Sequence, residues 1–351
     1  MNRARGLVFF LIAIVLVVTY GVLGARAAPF LVPVGTPTPT PTKPVQPVEA
    51  PQVGGTIAFM LRGDVYLLSG GRYTALTRDG RAMQPSISID GRTILFARGQ
   101  SIDGKRDVDG QITPAVLRYS DIVKRDTGGG SDTIVVSGLR SKSAAGFHVV
   151  VWFNGPALAP DGTRFAVTSA GDDGASDLEV FDMQTGRRVA LLSQGAEIAD
   201  PAWSPDGKTI AVTSYTVGAP RILLVAADGK AAVPLKIAAK GEPYRPSYSP
   251  DGRWLAYTLR HDNRNDLHAV EVTTGKDVTL TSDGRSWNGV FSPDGSSIAF
   301  LRESGGVIDL YAMELADALN GGVPKAAVKL TRGEGVDGDS RPSWGPVFSG
   351  R

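Results

Sequence analysis

Asp200-Pro-Ala-Trp-Ser-Pro-Asp-Gly207 returns as Arg245-Pro-Ser-Tyr-Ser-Pro-Asp-Gly252 and again as Asn288-Gly-Val-Phe-Ser-Pro-Asp-Gly295. Looser copies are Gln84-Pro-Ser-Ile-Ser-Ile-Asp-Gly91 and Gly155-Pro-Ala-Leu-Ala-Pro-Asp-Gly162, and Arg341-Pro-Ser-Trp-Gly-Pro346 begins a sixth. The Asp-Gly steps fall at 90, 161, 206, 251 and 294, at intervals of 71, 45, 45 and 43 residues. A period in this range marks stacked repeats, each burying its apolar faces against its neighbours.

Ser-Pro-Asp-Gly is turn chemistry: proline presets φ, aspartate caps the backbone and glycine accepts φ > 0. An apolar run comes after each turn, as in Thr209-Ile-Ala-Val-Thr213, Trp254-Leu-Ala-Tyr-Thr258 and Ser297-Ile-Ala-Phe-Leu301. A second comes next, as in Arg221-Ile-Leu-Leu-Val225 and Asp309-Leu-Tyr-Ala-Met313, and a short run such as Asp277-Val-Thr-Leu-Thr281 closes the unit. Four short antiparallel strands per repeat are the content of a propeller blade. The runs are continuous because each blade is covered on both faces. Trp203, Tyr248, Phe291 and Trp344, with Ile87 and Leu158, share one repeat position and are predicted to pack between blades. Residues 56–77 supply three strands without a first, and Arg341–Pro346 a first strand without the rest. Joined, they complete a sixth blade and remove two sheet edges. The expected fold is an all-β, six-bladed β-propeller over 54–351, closed by N-terminal strands joining the C-terminal strand.

The phrase Pro-x-Trp/Tyr-Ser-Pro-Asp-Gly-x-x-Ile-Ala, with Asp-Leu-Tyr-like strands and Leu-Thr endings, resembles the TolB-type, WD40-like propeller repeat over essentially all of 56–346. The resemblance implies a TolB-like propeller outside the cytoplasm, but not TolB itself. That protein carries an α/β domain ahead of its propeller, where this chain has an apolar segment and a spacer. Related propellers precede hydrolase domains in the prolyl oligopeptidase group.

Composition bounds the partners. The 351 residues are 42% hydrophobic and 21% charged, with 43 glycines, 23 prolines and a net charge of +2. So small a charge gives nucleic-acid binding no electrostatic footing. Without cysteine, disulfides, thiolate nucleophiles and cysteine metal sites are excluded. Arg3 and Arg5 precede an apolar stretch, Leu7 to Leu23, that ends in Ala25-Arg-Ala27. Residues 1–28 therefore read as a signal peptide or as a transmembrane anchor in helical form, and either exports the rest of the chain. Residues 29–53 form a Pro/Thr-rich linker, centred on Thr36-Pro-Thr-Pro-Thr-Pro-Thr42, that favours polyproline II.

Propeller geometry places the opening residue of each phrase near one mouth of the central channel. These are Gln84, Gly155, Asp200, Arg245, Asn288 and Arg341. The five polar ones form the expected ligand site, with Arg245 and Arg341 suited to gripping a carboxylate or an acidic peptide end. The long 71-residue interval holds two insertions, 99–115 and 140–154, both expected on this face. The first contains Asp107-x-Asp109-Gly110-x-Ile112, which looks like the middle of a calcium loop, although Lys105 and Val116 stand at its first and twelfth positions. The second, Gly146-Phe-His-Val-Val-Val-Trp-Phe-Asn154, reads as an extra buried strand or a docking patch.

No catalytic motif appears. His148, His261 and His268 show no metal-ligand spacing, and there is no His-Glu-x-x-His or Gly-x-Ser-x-Gly. Asp172-Asp173 reads as a solvated turn. The sequence predicts a protein that is not an enzyme and needs no cofactor beyond the calcium just described. It would be a membrane-tethered scaffold binding a protein or envelope component through the face bearing the insertions. The alternatives are a hydrolase or lyase acting on peptide or carbohydrate in the channel, and a purely structural surface protein.

Overall fold

The computed structural model describes residues 53–347, apart from 143–144, 172–174, 193–196 and 216–217. The expected anchor or signal (1–28) and all of the expected linker but Val53 lie outside the described residues, as does the Asp172-Asp173 turn. Among the described residues no helix is long and apolar enough to cross a membrane.

Among the described residues, six four-stranded sheets and one two-stranded sheet make up the fold, with a one-turn helix at Ala316–Leu319. Strands β1 (Thr56–Leu61), β2 (Asp64–Ser69) and β3 (Arg72–Ala75) belong to the closing blade. The first complete blade is β4 (Ala82–Ile87), β5 (Thr93–Val108), β6 (Gln111–Asp126) and β7 (Thr133–Val136). A hairpin, β8 (Leu139–Lys142) and β9 (His148–Val150), leads into β10 (Trp152–Leu158), β11 (Arg164–Ala170), β12 (Ser176–Asp182) and β13 (Arg188–Leu192). The third blade runs β14 (Ile198–Trp203), β15 (Thr209–Ser214), β16 (Arg221–Ala226) and β17 (Ala232–Pro234). The fourth is β18 (Glu242–Tyr248), β19 (Trp254–His261), β20 (Arg264–Glu271) and β21 (Asp277–Thr279). The fifth is β22 (Ser286–Phe291), β23 (Ser297–Ser304), β24 (Val307–Glu314) and β25 (Val328–Lys329). Strand β26 (Ser343–Gly345) then pairs with β1 through Thr56↔Gly345, Ile57↔Trp344 and Ala58↔Ser343, closing the ring as expected.

The repeat phrase works as a hydrogen-bonded unit. In the tight turns the serine hydroxyl donates to the aspartate two residues on, at 2.5 Å for Ser88–Asp90 and 2.6 Å for Ser204–Asp206, Ser249–Asp251 and Ser292–Asp294. The same hydroxyl accepts the amide that starts the next strand, as in Thr209 N to Ser204 Oγ at 3.0 Å. Those four carboxyls are held below the usual carboxylate range, chiefly by the serine hydroxyl and with help from the amide two residues downstream. A depressed folded pKa contributes stability above the unfolded value near 4 and loses it as pH falls through the folded value. Denaturant midpoints should therefore drop below about pH 4. An Asp206→Asn/Asp251→Asn/Asp294→Asn protein should be less stable at pH 7 but show a flatter acid limb, and parallel curves would reject this.

The Asp-Leu-Tyr and Leu-Thr signatures form a second clamp. The third-strand aspartate accepts a hydroxyl two residues past the fourth strand: Thr77–Asp64 at 2.9 Å, Thr281–Asp266 at 3.1 Å and Thr331–Asp309 at 2.7 Å. Each threonine in turn accepts the amide after the aspartate, as in Leu310 N to Thr331 Oγ1 at 3.0 Å. Between blades, the Trp203 indole donates to Ala157 O at 3.0 Å, and Ile87, Phe291 and Trp344 are buried at the same repeat position.

Candidate functional site

Five of the six opening residues adopt positive φ: Gln84 (48°), Gly155 (62°), Asp200 (56°), Arg245 (55°) and Asn288 (60°). Each sits in a register shift of its strand, between Met83 and Ser86, Asn154 and Ala157, Ala199 and Ala202, Tyr244 and Ser247, and Trp287 and Val290. These are β-bulges, which bend a strand and re-aim its side chains. Asparagine, aspartate and glycine tolerate such backbone best, whereas Gln84 and Arg245 hold it under strain of the kind that collects at functional sites. The neighbouring blade's second strand satisfies the amides so exposed: Arg245 N donates to Thr213 Oγ1 at 2.9 Å and Asn288 N to Thr258 Oγ1 at 3.1 Å.

Gln84, Asp200 and Arg245 line a cavity of about 510 Å³ at the channel mouth. Sequence reasoning missed the aromatic and charged groups that share it: Tyr215, Tyr244, Trp287, Arg260 and Asp339. The signal was present, since Tyr244 and Trp287 immediately precede the opening residues Arg245 and Asn288. The bulge is what brings that preceding position to the cavity.

The groups at the mouth are coupled. Arg245 donates to Asn288 Oδ1 at 2.7 Å and Asp339 O at 3.0 Å, and its Nε lies 3.7 Å from Asp200 Oδ1. The Asp200 carboxylate also accepts from Thr213 Oγ1 at 3.1 Å. The guanidiniums of Arg245 and Arg260 stand 5.8 and 5.9 Å from the Tyr244 ring centre, within cation–π reach. Burial pushes the Tyr244 hydroxyl above its ordinary value, against both guanidiniums, and it donates to Asn265 Oδ1 at 3.0 Å. The Trp287 indole donates to Gly338 O at 2.8 Å.

Two expected members sit elsewhere. Asn288 is fully buried, its amide donating to Gly338 O and Ser340 O, both at 3.3 Å, so it anchors the last inter-blade segment. Arg341, the opening residue outside the positive-φ set, lines the opposite cavity and reaches across the channel to Pro246 O and, at 2.8 Å, Pro201 O. The expected Arg245–Arg341 pair is thus divided between two cavities, although the two charges still act on each other.

The insertions adjoin each other as expected, but the first is no loop. β5 and β6 run on past the blade, paired out to Val108↔Gln111, and turn on Asp109 and Gly110, both at positive φ. Such a two-residue turn demands Asp-Gly for its own backbone. Asp107 accepts the Gly110 amide at 2.8 Å, and among the described residues no three acidic, histidine or cysteine side chains gather to hold a metal. Because Ala82 pairs with Arg98, everything beyond Arg98 projects past the start of β4, on the mouth side. The second insertion divides into the β8–β9 hairpin and the start of β10, leaving Trp152 half-buried. Lys105 N donates to Gly146 O at 2.9 Å, joining the two insertions.

Six blades around a channel, with bulged first strands turning polar side chains into one mouth, define a six-bladed β-propeller. The TolB beta propeller domain model matches residues 126–348, and the chain belongs to that family. No curated protein matches it. The propeller is similar to that of TolB from Acinetobacter baumannii at 19% identity and TM-score 0.61, covering 84% of this chain and 67% of that one. A chain of a nidogen/laminin complex is similar at 13% identity and TM-score 0.58, covering 83% and 98%. An oligogalacturonate lyase in complex with manganese is similar at 17% identity and TM-score 0.50, covering 73% and 69%. This last likeness corrects the expectation that the chain is not an enzyme. That expectation rested on missing nucleophile and metal motifs, and a propeller of this fold is found in a lyase. The missing motifs therefore exclude nothing.

Proposed function

We propose that the protein is a membrane-tethered propeller of the cell envelope that binds its ligand or protein partner at the channel mouth. The observation that carries this is the cavity itself: Tyr215, Tyr244 and Trp287 offer apolar faces beside Arg245, Arg260 and Asp200. Aromatic walls with a few convergent polar groups are the usual make-up of a binding pocket. The β5–β6 arm and β8–β9 hairpin extend the same face and supply area for a larger partner. Placement outside the cytoplasm draws on membership of the TolB propeller family and on the charge and hydropathy pattern of residues 1–28.

The test is photo-cross-linking in cells from a reactive residue at position 84, at the mouth, and at position 228, in the outer β16–β17 turn. An adduct from position 84 alone, lost when Tyr244→Ala/Arg245→Ala is added, is the expected result. Equal adducts from both positions, or none from 84, would refute mouth binding.

A further inference from the structure

The two ends of the channel differ in chemistry. At the Ser-Pro-Asp-Gly end lies a second cavity of about 260 Å³, lined by proline, serine, aliphatic and aromatic residues, with Arg341 its one charged member. One repeat position rings it with Ile89, Pro160, Pro205, Pro250, Pro293 and Pro346. The turn aspartates are not part of this lining, and their carboxylates are occupied by serine hydroxyls and backbone amides.

Among the described residues Arg341 donates to the neutral carbonyls of Pro201 and Pro246. Among the described residues no carboxylate lies within 4.0 Å of it. Asp200, whose charge acts on Arg341 through space, is engaged instead with Thr213 and Arg245. A guanidinium carries five N–H donors, so two carbonyls leave donors over. Arg341 is half-buried, and a cation withdrawn from water with no carboxylate in direct contact attracts an anion more strongly than an exposed one does. Burial, opposed by the Asp200 charge and helped by that of Arg245, pushes the Arg341 guanidinium below its ordinary value. Tyr248 also lines the cavity, and burial followed by the Asp206 charge pushes its hydroxyl up to about 12, so it stays a neutral donor.

We propose that this cavity binds a small apolar carboxylate, the carboxylate on Arg341 and the hydrocarbon body within the ring of prolines and Ile89. An anion without an apolar body forfeits the ring, and a neutral apolar molecule forfeits the arginine. The volume sets the size, near the lower end of small-ligand pockets at ~300 Å³.

The experiment titrates the full chain with hexanoate, hexanamide and inorganic phosphate, by calorimetry and by the fluorescence of Trp203 and Trp344, which line the cavity. Hexanoate should saturate at one molecule per chain, with hexanamide and phosphate each at least tenfold weaker. Arg341→Gln should weaken hexanoate at least tenfold, whereas Lys230→Ala, in the outer β16–β17 turn, should leave it unchanged. Equal binding of hexanamide or phosphate, no saturable hexanoate binding, or full affinity in Arg341→Gln would overturn the proposal. So would loss of binding in Lys230→Ala. Ile89 is 68% exposed, so Ile89→Glu keeps the test decisive should Arg341→Gln not fold: it should weaken hexanoate severalfold, and unchanged affinity overturns the proposal.

Discussion

Trp344→Ala destabilises the propeller by about 3–5 kcal/mol, the range for removing a large buried aromatic. Trp344 is 9% exposed and belongs to the same core cluster as Ile57 and Phe59 of the closing blade and Leu301 and Leu310 of the fifth. Its indole donates to Gly54 O at 2.8 Å, which fixes the chain just ahead of β1. β26 offers only three paired residues, so side-chain burial more than backbone pairing secures the closure. Urea unfolding of the variant and of Trp344→Phe checks this. Phenylalanine should recover more than half of the loss, and a loss under ~1 kcal/mol in Trp344→Ala would show that closure does not depend on this side chain.

Asp309→Ala should cost about 3 kcal/mol or more, from the two hydrogen-bonding groups it strands. Asp309 is fully buried, accepts from Thr331 Oγ1 at 2.7 Å and Gly333 N at 2.8 Å, and pairs with Lys329 Nζ at 2.6 Å. Burial pushes its carboxyl up, but these three partners together hold it below the usual range. Truncation strands a buried hydroxyl and a half-buried amide, each of which costs ~1–3 kcal/mol without a partner. Lys329→Ala leaves Asp309 without its cation but still accepting from Thr331 and Gly333, so it should cost less than stranding both of those donors. The ordering of the two variants in urea is the readout, and a larger loss in Lys329→Ala would place the stability in the cation instead.

How far the chain can be read from its letters varies with the physics behind each feature. The blades follow from turn chemistry, where Ser-Pro-Asp-Gly leaves little choice of backbone. The closing blade follows from counting strands at the two ends. The Asp-Leu-Tyr and Leu-Thr signatures are visible as pattern, but the Asp309–Thr331 clamp that explains them joins the third strand to the residues just past the fourth and shows only in three dimensions. Strict two-residue alternation would turn Tyr244 and Arg245 to opposite faces. The bulge at Arg245 brings both to the mouth instead, and no local motif announces a bulge. Arg341 shares its repeat position with Arg245 but not its positive φ, so the pattern alone puts it in the wrong cavity. The arm reads as an insertion and not as two extended strands, because its polar residues carry no apolar period.

Closure by β26 also sets a schedule. Trp344 and Gly54 are 290 positions apart in the chain, so this ladder is among the most non-local contacts in the molecule and must wait for the loop between them to be drawn in. Until then β1, buried along its whole length in the finished ring, presents a bare apolar edge. The nascent protein therefore passes through a stage in which most blades can form while their first-made strand stays adhesive, and that interval is its greatest exposure to aggregation.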